Sequence, residues 1–386
     1  MRRVLGSGRI LSSQTGQGRI RHPLIARLVF VVVRAVQAQF WLQNCSSRVK
    51  RKRLPRRRAK PMGLTDQFGR TIDYLRLSVT DLCNLRCCYC MPAEGVPKLS
   101  HNDVLRFEEL HRIAVQAVSL GVEKIRVTGG EPLVRKGIIP FLEKLAGIPG
   151  LRGLALTTNG MLLLQLASGL RRAGVQRLNV SLDSLRADTF AAITRGGNLS
   201  VVWKGIRAAE DAGFPPPKIN VVVMRGVNDN EILDFADLTL HEPYAVRFIE
   251  YMPTLMNTGW DVRSVKAPEI LRILESRYPL QRLHHTHSAG PATEFRIPGA
   301  AGTLGIIAPL SMHFCGSCNR LRITASGMAL GCLFSDSGID LKPYLGQGDQ
   351  DLREALRRAA ENKPRQHRLM DKDPQFTPFA MVQIGG

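Results

Sequence analysis

A chain of 386 residues with 44% apolar content is long enough to bury a large core and to carry an extension. The formal charge of +22 suggests a nucleic-acid binder, but residues 1–65 hold 16 Lys and Arg and no Asp or Glu, leaving only +6 over the remainder. The excess charge therefore belongs to a leader, and the body has the balance of a protein that handles small anionic ligands, with no nucleic-acid partner.

The leader, residues 1–65, is Arg-rich and acid-free. Its apolar stretch Leu24–Leu42 is interrupted by Arg27 and Arg34, seven apart on one face of a helix, which predicts a mitochondrial presequence and a matrix location. A basic arm built on Arg51-Lys52-Arg53 and Arg56-Arg57-Arg58 is the competing reading. Uninterrupted apolar runs fall short of the ~20 residues that a bilayer needs, so no stable membrane span is expected. Six of the eight cysteines fall into two tight groups, which speaks against a disulfide framework and for thiolate chemistry in a reducing compartment.

After the leader, short apolar runs alternate with longer helical stretches. Strands are expected at Tyr74–Val79, Lys124–Thr128, Gly153–Thr157, Arg177–Ser181, Lys218–Val223 and Val246–Glu250. Helices are expected at Phe107–Leu120, Ile138–Leu145, Leu162–Ala173, Val201–Ala212 and Asn230–Leu240. This is an α/β pattern of βα units around a parallel sheet, and it predicts a partial (βα)6 barrel of the TIM type. Polar and glycine residues follow most strand ends, as in Thr128-Gly129-Gly130-Glu131-Pro132, Thr157-Thr158-Asn159-Gly160 and Ser181-Leu182-Asp183-Ser184. Barrels of parallel strands gather ligand-binding residues at the C-terminal ends of the strands.

The segment after the first strand carries the sharpest signal. Cys83, Cys87 and Cys90 form a C-x3-C-x2-C run, three thiolates where an iron–sulfur cube needs four. A cube held by three cysteines leaves one iron open for chemistry. A zinc knuckle would need a fourth ligand close by, and no His falls within the run. Cys88 breaks the spacing and reads as a packing residue.

The run, with Tyr89 before its last cysteine, resembles the signature of the radical S-adenosylmethionine (SAM) enzymes. The resemblance implies a [4Fe–4S] cluster on Cys83, Cys87 and Cys90 whose open iron binds SAM and cleaves it reductively. Gly129-Gly130-Glu131-Pro132 matches the glycine motif of that superfamily. By the same resemblance, Tyr89, Gly130, Ser181 and Met252 fall at SAM-contacting positions.

A second triad lies far downstream: Cys315, Cys318 and Cys332 in a C-x2-C-x13-C spacing. On spacing alone, a Cys3His zinc site completed by His313 and a second cluster are equally compatible. The flanking residues bear on the choice. The run Leu75-Arg76-Leu77-Ser78-Val79-Thr80-Asp81 before Cys83, the stretch His313-Phe314-Cys315 with Cys318-Asn319-Arg320-Leu321-Arg322, and the terminal Gly385-Gly386 together resemble the GTP 3′,8-cyclase family of molybdenum-cofactor biosynthesis, over residues 66–386.

That resemblance implies residues 66–252 as the radical SAM barrel and 253–386 as an extension carrying a second [4Fe–4S] cluster and a Gly-Gly tail. It implies GTP contacts at Arg76, Arg126, Thr157, Lys218, Arg320, Leu321 and Arg322, with Arg247, Gly385 and Gly386 also reaching the active site. The implied reaction converts GTP to (8S)-3′,8-cyclo-7,8-dihydroguanosine 5′-triphosphate, with SAM cleaved to 5′-deoxyadenosine and methionine. Implied partners are an external electron donor, the cyclic pyranopterin monophosphate synthase of the next step, and a second copy in a homodimer; the eukaryotic form in the family is mitochondrial. The alternatives are another radical SAM enzyme with an auxiliary cluster and a zinc protein that binds nucleic acid. No P-loop or dinucleotide fingerprint follows the first strand.

Overall fold

Residues 63–97, 99–100, 102–253, 259–284, 290–335, 337–367 and 380–385 are described by the computed structural model. Of the expected presequence at residues 1–65, residues 1–62 lie outside the described residues, as does Gly386.

Six strands alternate with helices as the sequence pattern implies: β1 (Tyr74–Ser78), β2 (Lys124–Thr128), β3 (Gly153–Thr158), β4 (Arg177–Ser181), β5 (Lys218–Val223) and β6 (Ala245–Glu250). The returning helices are Phe107–Ser119, Ile138–Ala146, Leu163–Arg172, Leu199–Asp211 and Ile232–His241. Leu199–Asp211 starts before its expected boundary because Asn198 caps it. The Asn198 Oδ1 accepts from the Ser200 and Val201 backbone N–H groups at 3.0 and 3.3 Å.

The sheet continues past six strands. In chain order the extension adds β7 (Gln281–Leu283), β8 (Thr293–Arg296), β9 (Thr303–Ile307), β10 (Arg320–Ile323), β11 (Met328–Leu330) and β12 (Ile339–Asp340). The order across the sheet is β12-β11-β10-β1-β2-β3-β4-β5-β6-β9-β8-β7. β10 runs parallel to β1 and β9 parallel to β6, so the extension adds one parallel strand at each end of the six-stranded arc. Antiparallel partners then close each flank.

Because side chains alternate across a strand, the sheet has two chemically distinct faces. One face carries Leu75, Leu77, Ile125, Val127, Leu156, Val180, Ile219, Phe248, Ile306 and Leu321, all buried in the main core, which the returning helices also build. The other carries Tyr74, Arg76, Lys124, Arg126, Thr157, Asn179, Ser181, Lys218, Asn220, Arg247, Arg320 and Arg322. A parallel sheet with helices on both faces is apolar on both, and a closed barrel fills its interior with branched aliphatics. This inner face is polar and cationic, which marks it as built around a ligand.

Candidate active site: two cysteine triads on one cavity

The inner face bounds a cavity of about 550 Å³. Its wall includes Cys83, Cys87 and Cys90 at one side and Cys315, Cys318 and Cys332 at another, although more than two hundred residues separate the triads in the chain. Tyr89, Gly130, Ser181, Met252, Arg76, Arg126, Thr157, Lys218, Arg247, Arg320 and Arg322 lie on the same wall. Leu321 does not. It is fully buried on the core face and pairs in register with Leu75, so only its backbone can meet a ligand. Gly385 reaches the site through its carbonyl, which accepts from Arg322 Nη1 at 3.2 Å and Arg76 Nη2 at 3.4 Å.

The first triad sits on a loop held from both sides. Gly130 N donates to Thr80 O and Glu131 N to Leu82 O, each at 2.8 Å. On the far side Arg86 N donates to Thr194 O and Cys88 N to Ile193 O, at 3.1 and 2.9 Å. The Cys88 side chain packs with Ile193, Met224 and Tyr251, as its packing role predicts. Burial, before any other cause, pushes the Cys87 thiol well up and the Cys90 thiol up to about 12, and neighbouring cysteines and Asp183 add to it. Three buried sulfurs lining one cavity need a cationic centre to hold them as thiolates.

The second triad is set differently. Burial raises the Cys332 thiol, but Arg320 and Lys363 outweigh burial at Cys318 and bring it down to about 6. Arg70 ties the outlying segments together: Nη1 donates to Cys315 O at 2.7 Å and Nη2 to Pro364 O at 2.6 Å.

The spread of the sulfurs separates a cluster from a single ion. Around one zinc at about 2.3 Å, tetrahedral sulfurs would stand about 3.8 Å apart. Among the described residues, only His313, Cys315 and His367 bring three ligand atoms within 4.8 Å of one another. Neither cysteine triad is that compact. The compact group joins His313 to Cys315 and His367, with His313 Nδ1 2.9 Å from Pro309 O and 3.1 Å from His367 Nε2, and leaves out Cys318 and Cys332. The Cys3His zinc shell is thus not assembled, and each open triad suits a larger cube. The seven described cysteines form no disulfide.

Between the triads runs a row of cations. Arg322, Arg76 and Arg126 are side by side in register on β10, β1 and β2, where neighbouring strands are only about 4.8 Å apart. Burial lowers Arg76 well below its ordinary range, and Arg322 and Arg126 lower it further; burial and Arg320 bring Arg322 down to about 10. Arg126 donates to Tyr74 Oη and, at 3.4 Å, to Thr157 Oγ1. On β5, burial and then Arg247 bring Lys218 down to about 8. Arg247 is itself bridged to Glu294 at 2.7 Å. Crowded buried cations of this kind are arranged for a polyanion.

Several residues that shape the site escaped sequence reasoning. Glu131, 1% exposed, accepts from Leu133 N, Thr158 Oγ1 and Asn159 N at 2.7–3.0 Å and so fastens the tip of β2 to that of β3; burial brings it up to about 7. Asp183 accepts from Tyr89 Oη and Val222 N at 2.8 Å each, which aims the tyrosine of the cysteine run. Glu250, fully buried, accepts from Ala267, Leu310 and Ser311 N–H groups at 2.8–3.1 Å and anchors the chain entering the second cysteine segment. Asn179 and Asn220 face the cavity with their Oδ1 atoms unbonded. A buried carboxylate after a strand was visible in the sequence, but its partners are set by loops far along the chain.

Residues 77–239 match the family model described as the Radical SAM superfamily, and residues 244–369 the one described as Molybdenum Cofactor Synthesis C. A GTP 3′,8-cyclase of Geobacter sulfurreducens is 60% identical over 326 residues, which cover 84% of this chain and 100% of that protein. The chain belongs to the GTP 3′,8-cyclase family of radical SAM enzymes. Relatives of the same name from Moorella thermoacetica and Pelotomaculum thermopropionicum are 48% and 47% identical, each match covering 84% of this chain and 100% of the relative. The structure of Streptococcus suis SuiB bound to S-adenosylmethionine superposes with a TM-score of 0.51 at 15% identity, over 72% of this chain and 65% of that one. That likeness shows the radical SAM fold. Membership of the GTP 3′,8-cyclase family makes the chain an enzyme that uses SAM and two [4Fe–4S] clusters, and both open triads fit that pair.

Proposed function

We infer that this chain converts GTP to (8S)-3′,8-cyclo-7,8-dihydroguanosine 5′-triphosphate, the opening step of molybdenum-cofactor biosynthesis. One observation carries the reading: a single cavity joins both cysteine triads through the row Arg322, Arg76 and Arg126. Cys83, Cys87 and Cys90 would hold the cluster that binds SAM, and Cys315, Cys318 and Cys332 the one that binds substrate. When bound, the first cluster and SAM together supply reductive cleavage and hydrogen-atom abstraction.

The chain's own residues position the reactants. The Gly129-Gly130 edge offers backbone to SAM with no side chain in the way, and Tyr89, Ser181 and Met252 stand on the same wall. Arg76, Arg126, Lys218, Arg320 and Arg322 face the triphosphate, with Thr157, Arg247, the Leu321 backbone and the Gly385 carbonyl completing that side. Holding ribose C3′ against the SAM side and guanine C8 within its reach is a problem of proximity, and the two anchored triads solve it.

Replacing Arg320 with Ala should weaken GTP binding about 10- to 100-fold in an equilibrium assay, since a charge-assisted contact to phosphate is lost, and leave SAM binding unchanged. Unaltered GTP affinity would remove Arg320 from the pocket. The pH dependence has a definite sign. Lys218 titrates at about 8 in the free protein because burial disfavours its charge. A polyanion favours the protonated form, so GTP affinity should be full below pH 8 and fall by up to about tenfold per unit above it. Lys218→Met should flatten that slope.

The electron donor, a following cyclic pyranopterin monophosphate synthase and a second copy of the chain are proposed partners. The matrix of mitochondria is the proposed location, supported by the acid-free, Arg-rich leader. Residues 1–65 fused to a reporter should direct it into mitochondria; a cytosolic reporter would contradict this. No helix among the described residues is long and apolar enough to cross a membrane.

A further inference from the structure

Lys363 follows the helix Asp349–Glu361 and is only 3% exposed. Its Nζ donates to Cys318 Sγ at 3.3 Å, Arg320 O at 2.9 Å and Gly331 O at 2.5 Å. Those three bonds use every hydrogen of the ammonium, so none is left for a phosphate. Among the described residues Lys363 forms no ion pair with a carboxylate. A buried ammonium needs a counter-charge, and the sulfur of Cys318 is the anionic group within its reach.

The placement is also rigid. A Cβ on Gly331 would stand 2.8 Å from Lys363 Cα and 3.1 Å from its Cβ, so the lysine stem is pressed against the residue preceding Cys332. The ammonium bridges the segment of Cys318 to the segment of Cys332, while Arg70 joins Pro364 to the segment of Cys315. All three ligand segments thus converge on residues 363–364.

We propose that Lys363 is a positioning residue of the second cluster: its fixed ammonium donates to the Cys318 ligand sulfur and holds the cluster's reduction potential above the value that the cysteines alone would set. Hydrogen bonds to ligand sulfur and nearby positive charge both favour the more negative, reduced state of a cluster. The proposal rests on the reading that Cys315, Cys318 and Cys332 hold that cluster.

The test uses the full-length chain with Cys83, Cys87 and Cys90 replaced by Ala, leaving one cluster, and compares Lys363→Met and Lys363→Arg with that parent. Iron content and an EPR-monitored redox titration are read for each. Expected are about four irons per chain, a potential shifted negative in Lys363→Met, and one nearer the parent in Lys363→Arg. Iron uptake by Lys363→Arg but not by Lys363→Met would equally support a need for the charge. An unshifted potential in Lys363→Met, equal shifts in the two variants, or loss of iron from both would overturn the proposal. A parent that takes up no iron would instead refute the second cluster site itself.

Discussion

Replacing Cys87 with Ser should reduce SAM cleavage to background while the second cluster stays in place. Burial raises the Cys87 thiol well up, and its carbonyl accepts from Cys90 N and Met91 N at 2.9 and 3.2 Å to shape the ligand turn. A serine hydroxyl is a poor ligand for iron that soft thiolate holds, and a cube left with two cysteines is not retained. Iron should fall from about eight to about four per chain. GTP affinity should remain close to that of the parent, because the arginine row and the second triad are untouched. Anaerobic iron analysis with quantitation of 5′-deoxyadenosine reads both outcomes. Cleavage within about tenfold of the parent would contradict the assignment of this triad.

A single methyl group at Gly130 should also disturb the cysteine loop. An alanine Cβ there would stand 2.4 Å from Leu82 O and 2.6 Å from Val382 Cγ2, and the first of these is backbone that cannot rotate aside. Leu82 precedes Cys83, and Val382 belongs to the C-terminal turn Met381–Ile384 that packs with Cys83 and Cys90. Gly129 is just as constrained, with φ at +155° and a Cβ position 2.6 Å from Thr80 O. Overpacking of this kind costs about 1–3 kcal/mol. For Gly130→Ala in a body of this size that corresponds to a Tm lower by about 1–5 °C. Displacing the cysteine loop should also weaken SAM binding by at least about tenfold. Calorimetry and SAM binding would both have to be unchanged for the close approach to be wrong.

The six βα units were legible because their strands are bounded by turn residues and their helices keep a regular apolar stripe; each strand falls within one residue of its expected limits. The helix Ala187–Thr194 was not, since it is short and ends at Arg195 (φ 52°) and Gly196-Gly197, which reads as loop. The strands of the extension run two to five residues and owe their pairing to distant edges, so local pattern could not reveal that β9 and β10 complete both sides of the arc. The side chains that family resemblance singled out on the strands do line the cavity, Leu321 excepted, because strand alternation puts them on its inner face. Lys363, Arg70 and Asp183 did not stand out, because what sets them apart is a hydrogen-bond partner far along the chain.

Anaerobic turnover of the full chain with GTP deuterated at C3′, SAM and a reductant follows the hydrogen that the cyclisation must move. The label should appear in 5′-deoxyadenosine, and the nucleotide product should be the cyclised dihydro compound, equal in mass to GTP except for the exchanged hydrogen. Unlabelled 5′-deoxyadenosine with intact GTP would contradict the account.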